Sequence, residues 1–208
     1  MQETPVKIDG PVGVLEGLYM DPGDAQGLML LCHPNPEHGG TLLNKVVSTL
    51  QRSARDAGYC TLRFNYRGTG GSAGEHDMGE GEVDDAEAAW QWLQAKHPEL
   101  PMNLGGGSFG GFVSLSLAAR MDQQGKAPQR IILLAPALWR LPADIVVPES
   151  SRLLIVQPAN DEIVDPQEVH DWSRAHQYHP HELLKVAECG HFFHGKLIEL
   201  RDLLKPYL

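Results

Sequence analysis

The stretch GGGSFGG, residues 105–111, fits two chemistries. As G-x-S-x-G (Gly106, Ser108, Gly110) it is a turn that lifts a nucleophilic serine between a strand and a helix. As G-x-G-x-x-G (Gly105, Gly107, Gly110) it is a dinucleotide-binding turn. A second G-x-S-x-G, GGSAG at 70–74, offers Ser72 as a rival nucleophile. Both readings of 105–111 demand a strand before the turn and a helix behind it. MNLGG (102–106) supplies the first, and FGGFVSLSLAARM (109–121), apolar almost all round, supplies a centrally packed helix. Ser72 lacks this context: it lies seven residues past Asn65 and runs into AGEHDMGEGE, so RGTGGSAG reads as a flexible loop near the site. The dinucleotide reading is weakened by the next strand, RIILLAPAL, which does not end in the Asp or Glu that would bind a ribose. Arg140 would have to face a 2′-phosphate instead.

Outward from this turn, short apolar runs recur: GLMLLC (27–32), CTLRFN (60–65), RIILLA (130–135), RLLIVQ (152–157) and ELLKVA (182–187). They are continuous rather than alternating, as expected of strands covered on both faces of a parallel sheet. Between them, residues 82–96 place Val83, Ala86, Trp90 and Leu93 at helical spacing, with Glu82, Asp84 and Asp85 where the helix dipole favours negative charge. A last helix from about Lys196 sets Leu197, Leu200, Leu203 and Leu204 on one stripe. VGVLEGLYM, before the turn Asp21-Pro22-Gly23, predicts an antiparallel edge strand or hairpin. The rhythm is that of a single doubly wound α/β domain over residues 1–208.

Composition agrees. The chain is 42% hydrophobic and 21% charged, as soluble globular proteins are. A net charge of −10, from 27 acidic and 17 basic residues with no basic cluster, argues against a nucleic-acid partner. No apolar run is long enough to span a membrane, and MQETPVKIDG lacks the apolar core of a signal peptide, so a cytoplasmic location is expected. Cys32, Cys60 and Cys189 are odd in number and widely spaced; they read as two strand-end core thiols and one loop thiol rather than a disulfide framework. No cofactor or metal is called for. Cys189, His191 and His194 form a ligand set too small to argue for zinc.

In an open α/β sheet the reacting groups gather at the carboxyl ends of the strands. If Ser108 is the nucleophile, a base and an orienting acid belong at later strand ends. RLLIVQ leads to Asp161 and Asp165. Asp165 precedes Pro166 and lies three residues before Glu168, the arrangement of a helix N-cap, so Asp161 is the better acid. Among the later histidines, His170 and His176 fall on a helix and His179 and His181 at the wrong end of the last strand. Only His191 and His194 follow it, and His191, nearer the strand in a tight Cys-Gly turn, is the expected base. The oxyanion requires the N–H of Phe109 and a second donor. In HPNPEHGG, Pro34 and Pro36 have none to give, which leaves Asn35. Phe192, Phe193 and Trp139 are candidates to line an acyl pocket, and His38 and Arg67 to border the cleft.

HPNPEHGGTLLNKVV (33–47), LRFNYRGTGGSAGE (62–75), GGGSFGG, NDEIVD (160–165) and ECGHFFHGK (188–196) together resemble, in order and over nearly the whole chain, the α/β-hydrolase superfamily. Within it the chain is most similar to small capless bacterial serine hydrolases related to dienelactone hydrolases. The resemblance implies a Ser108–His191–Asp161 triad and an oxyanion hole from Phe109 and the HPNP loop. Cleavage of a carboxylic ester or thioester through an acyl-enzyme is expected; a peptidase or lactonase using the same groups, and a non-catalytic binding protein on the hydrolase scaffold, are the alternatives. Dienelactone hydrolases proper carry cysteine where Ser108 stands, so their substrate does not carry over. Only PALWRLPADIVVPESS (136–151) separates two neighbouring strands where many relatives insert a helical cap, so an open site is expected.

Overall fold

A computed structural model of the protein describes residues 2–208. Eight strands form one sheet: β1 (Thr4–Gly10), β2 (Gly13–Met20), β3 (Gly27–Cys32), β4 (Tyr59–Phe64), β5 (Met102–Gly107), β6 (Arg130–Leu134), β7 (Arg152–Pro158) and β8 (His181–Val186). Their spatial order is β1-β2-β4-β3-β5-β6-β7-β8. β3 to β8 are mutually parallel, whereas β2 runs antiparallel to both β1 and β4. The expected N-terminal hairpin is the β1–β2 pair, closed between Gly10 and Gly13. The carboxyl ends of β3, β5, β7 and β8 therefore share one edge, which is what positions the site.

Helices cover both faces, and this explains the unbroken apolar runs. Along β3, Leu28, Leu30 and Cys32 pack with Val83 and Trp90 of α2 (Glu80–Gln94) and Val113 and Leu117 of α3 (Phe109–Gln123). The intervening Met29 and Leu31 turn to the other face. There they meet Val46 and Leu50 of α1 (Lys45–Asp56) and Leu200 and Leu204 of α5 (Leu197–Leu204). α4 (Pro166–Ala175) begins as its sequence predicts, with the Asp165 carboxylate accepting from the Gln167 N–H at 2.8 Å and Pro166 at the first position. His176 is the residue that ends this helix, its ring stacked on Trp172. α1 is not among the helices read from the sequence. Its buried side carries Val46, Val47, Leu50 and Ala54 at helical spacing, with Thr49, Gln51 and Ser53 among them. What marks it is Asn44, whose side chain accepts from the Val46 and Val47 N–H groups as an N-cap.

The segment after β4 is a loop, as read, but a tethered one. Ser72 Oγ donates to the Asn65 carbonyl at 2.7 Å and accepts from the Glu16 N–H at 2.9 Å. Both roles of the hydroxyl are thus used in tying the loop to β2 and to the residue that follows β4. Arg67 is a clamp rather than a cleft residue: its N–H and Nε donate to Asp85 Oδ2 at 2.8 and 3.0 Å, and Nη2 donates to Oδ1 at 2.9 Å. The Asp85 side chain is wholly buried in α2. Among the described residues, no helix is long and apolar enough to cross a membrane.

Truncating one partner of a buried ion pair strands the other charge without water. Asp85→Ala is therefore expected to lower the urea unfolding free energy by about 3–5 kcal/mol. Replacing both residues, Arg67→Met with Asp85→Leu, is expected to recover most of that loss, and equal losses in the two variants would contradict it.

Candidate active site

Ser108 stands where β5 meets α3, at φ 54° and ψ −118°. An L-residue is strained there, and the surroundings explain how it is held. Its N–H donates to the Leu134 carbonyl of β6 at 2.9 Å, and its carbonyl accepts from Ala137 at 3.0 Å and Gly111 at 2.9 Å. The flanking glycines are required by space. A Cβ on Gly106 would lie 2.0 Å from the Gly110 carbonyl oxygen, and one on Gly110 would lie 2.2 Å from that of Cys32. The dinucleotide reading fails on the same contacts. The turn is filled by its own backbone, and Arg140 lies over the Phe109 ring at 5.3 Å, with Nη1 donating to the Met78 carbonyl at 3.4 Å.

Asp161 follows β7 and His191 follows β8, and their side chains meet. His191 Nδ1 is 2.9 Å from Asp161 Oδ2 and 3.0 Å from Oδ1. Asp161 Oδ1 also accepts from the Ile163 and Val164 N–H groups at 2.9 and 2.8 Å. Burial works to raise the Asp161 pKa, but the His191 bond and these two N–H groups outweigh it and hold the carboxyl below its usual range. The acid thus stays charged at neutral pH, with the imidazole fixed against it. Two further residues complete this arrangement. Gln157 Nε2 donates to Asp161 Oδ2 at 3.2 Å, and the His191 N–H donates to Glu162 Oε2 at 3.1 Å. Neither stands out by motif. The signal for Gln157 is a lone polar residue in the run RLLIVQ at the carboxyl end of a strand. His194 is exposed, its ring against Phe192.

Ser108 and His191 line one small cavity of about 20 Å³ with Pro34, Asn44, Leu134 and Phe192, without a hydrogen bond joining them. Larger concavities lie elsewhere, one of about 530 Å³ at the amino ends of β6 to β8, away from these groups. Of the aromatic candidates only Phe192 reaches the cavity. Phe193 is fully buried in the core beneath, and Trp139 is exposed outside it. Phe109 is buried too, and its backbone N–H sits in the first turn of α3, where intrahelical acceptors are lacking.

Asn35 caps a short 3₁₀ turn, Pro36–His38; its Oδ1 accepts from the Glu37 N–H at 2.9 Å and its carbonyl from Gly40 at 2.9 Å. His38 is exposed on this turn. His33, fully buried at the end of β3, anchors the loop: Nδ1 donates to the Pro34 carbonyl at 2.7 Å, and Nε2 accepts from the Tyr66 N–H at 3.2 Å. Those two bonds require the neutral ring. Burial, with His76 nearby, accordingly pushes its pKa down to about 3.

A serine raised on a strand-turn-helix elbow, beside an Asp–His pair at later strand ends of a mostly parallel sheet, is the layout of α/β serine hydrolases. A family model, Hydrolase_4, serine aminopeptidase S33, matches residues 23–153. The chain belongs to this family. It is similar to an alpha-beta serine hydrolase homologue from Coxiella burnetii, 37% identical, covering 100% of this chain and 98% of that one at a TM-score of 0.91. It is also similar to an α/β serine hydrolase without lid from Xanthomonas campestris, 36% identical, covering 100% and 96% at 0.89. A dienelactone hydrolase from Anabaena variabilis, 18% identical over 99% and 92%, shares the fold at 0.79.

His33 makes stability depend on pH. Its folded pKa is depressed to about 3, below the ordinary value of 6.5, so its contribution is complete above about 6.5 and is lost as pH falls toward 3. Across that window the unfolded chain gains a proton that the folded one refuses, which costs about 1.4 kcal/mol per pH unit. Urea unfolding at pH 7, 6, 5 and 4 should show a slope shallower by about one proton in His33→Gln than in the parent. Equal slopes would contradict it.

Proposed function

We propose that the protein hydrolyses a carboxylic ester or thioester by acyl transfer through Ser108, with His191 as general base and Asp161 as its orienting acid. The observation that carries this reading is the 2.9 Å contact between His191 Nδ1 and Asp161, set beside a strained serine lining the same cavity. With Nδ1–H donated to the carboxylate, Nε2 is left as the free basic nitrogen. As substrate enters, Ser108 Oγ attacks the acyl carbon and its proton passes to His191 Nε2. The charge growing on the carbonyl oxygen is met by the N–H groups of Phe109 and Asn35. Collapse breaks the bond to the alcohol or thiol, which leaves with the proton from Nε2. Water, deprotonated by the same nitrogen, then attacks the acyl-enzyme and frees the acid and Ser108.

No cofactor enters any of these steps, and the partner is a small molecule rather than a nucleic acid or a membrane. Three buried cysteines, all unpaired, fit a reducing cytoplasm. The confined space beside Ser108 and the lack of a cap favour short acyl groups.

A panel of p-nitrophenyl esters from acetate to palmitate, thioesters, lactones and aminoacyl p-nitroanilides tests the substrate class. The expected maximum lies at acetate or butyrate. A maximum at palmitate, or faster cleavage of the anilides, would count against the proposal. Ser108→Ala should abolish labelling by a fluorophosphonate and hydrolysis together; labelling at Ser72 in the parent would disprove the assignment.

Asp161→Asn keeps the shape of the acid but reverses the favoured histidine tautomer. A fall in kcat on the order of 10⁴-fold is expected, with the fold intact by circular dichroism. A loss of less than tenfold would remove Asp161 from the mechanism.

A further inference from the structure

At the opposite end of the sheet, four side chains with metal-ligating atoms converge. Asp21 follows β2, Cys60 is the second residue of β4, and His97 lies between α2 and β5. Because β2 runs antiparallel to β4, its carboxyl end lies beside the amino end of β4, at the end of the parallel strands opposite Ser108. His97 Nε2 is 3.0 Å from Asp21 Oδ2. The Tyr19 hydroxyl, donating to Asp21 Oδ2 at 3.1 Å, also lies 3.8 Å from Cys60 Sγ and 3.5 Å from His97 Nε2. The Asp21, Cys60 and His97 donor atoms all lie within 4.8 Å of one another. We propose that Asp21, Cys60 and His97 bind one zinc ion, remote from the catalytic edge.

The donor set selects the metal. A thiolate, an imidazole and a carboxylate are the ligands that zinc takes tetrahedrally, with the fourth position left to water or to the Tyr19 oxygen. Zinc bonds of about 2.3 Å to sulfur and 2.0–2.1 Å to nitrogen or oxygen imply ligand separations of about 3.3–3.6 Å in a tetrahedron. The Asp21–His97 pair, at 3.0 Å, would open by about 0.3 Å, and the contacts to Cys60 Sγ, within 4.8 Å, would close by at most about 1.3 Å. Orientation is already provided: Asp21 Oδ1 accepts from the Gly23 N–H at 2.8 Å, which turns Oδ2 toward Cys60 and His97. The way in is open as well. The Asp21 and His97 side chains are 34% and 26% exposed, whereas Cys60 forms the buried floor.

The chemistry of binding follows from the donor set. On zinc binding the S–H bond breaks, the S–Zn bond forms, and one proton leaves to solvent. The site would tie together β2, β4 and the α2–β5 connection, segments up to 76 positions apart.

Calorimetric titration of the whole protein with zinc chloride at pH 7.5 should show one site per chain. Heats in buffers of different ionisation enthalpy should report about one proton released. Cobalt in place of zinc should give a thiolate-to-cobalt charge-transfer band, and zinc should raise the Tm. His97→Ala and Asp21→Ala, both at partly exposed positions, should weaken zinc binding at least tenfold. Cys60→Ser should abolish the cobalt band. No saturable zinc binding would overturn the site; so would binding that survives His97→Ala unchanged, or that disappears only in His191→Ala.

Discussion

Ser108 sits at φ 54°, in a region of backbone space that an ordinary residue enters at a cost on the order of 1–3 kcal/mol, and much of the molecule is arranged around that constraint. A single turn must reverse the chain between β5 and α3 within van der Waals reach of two other backbone segments. Only residues without a Cβ fit at 106 and 110. β6 supplies the restraint through Leu134 and Ala137, so the turn is stable only when that neighbouring strand is in place. α3, packed among the core residues of one face, then braces the turn from behind. Sheet, helix and turn are one mechanical unit, and the half-buried Ser108 at the cavity is its product.

The same dependence reaches the other groups. Asp161 and His191 are 30 positions apart in the chain, yet β7 and β8 are adjacent and parallel, so their carboxyl ends deliver both side chains to one place. Each is then fixed locally: Asp161 by two N–H groups of its own loop and by Gln157, His191 by Glu162. The loop after β3 is set by His33, which spans from Pro34 to the Tyr66 N–H and so joins the ends of β3 and β4. A buried group that must stay neutral (His33) and one held charged (Asp161) both lie within a few residues of strand ends. The environment, rather than the residue type, decides which is which.

Much of this was legible in the chain itself. Continuous apolar runs identified the six parallel strands to within a residue or so, because a strand covered on both faces has no polar side to interrupt it. Ser108, Asp161 and His191 were sought by one rule about strand ends, and they lie after β5, β7 and β8; Asn35 was reached separately, because Pro34 and Pro36 have no N–H. What escaped had physical reasons. α1 went unread although Val46, Val47, Leu50 and Ala54 recur at helical spacing; Thr49, Gln51 and Ser53, buried among them, are polar residue types usually found at the surface. RGTGGSAG (67–74) reads as flexible from its glycines, whereas Ser72 and Glu16 hold it through bonds between residues 55 to 56 positions apart. Phe193 was grouped with Phe192, but adjacent side chains in a turn point apart, one to the cavity and one into the core. Arg67 has the composition of a cleft residue and the partner of a core one.

The short span between β6 and β7, where a cap would otherwise be inserted, has a consequence in time as well as in space. Enzymes that fold a lid over their chemistry pass through opening and closing steps on the microsecond to millisecond scale, and those steps often set turnover. Here residues 135–151 form only a single 3₁₀ turn (Leu138–Arg140) and irregular chain, and among the described residues no helix or strand is inserted there as a cap. Entry and departure are then matters of diffusion across an uncovered surface. Selectivity falls to the few side chains around the cavity rather than to a gate.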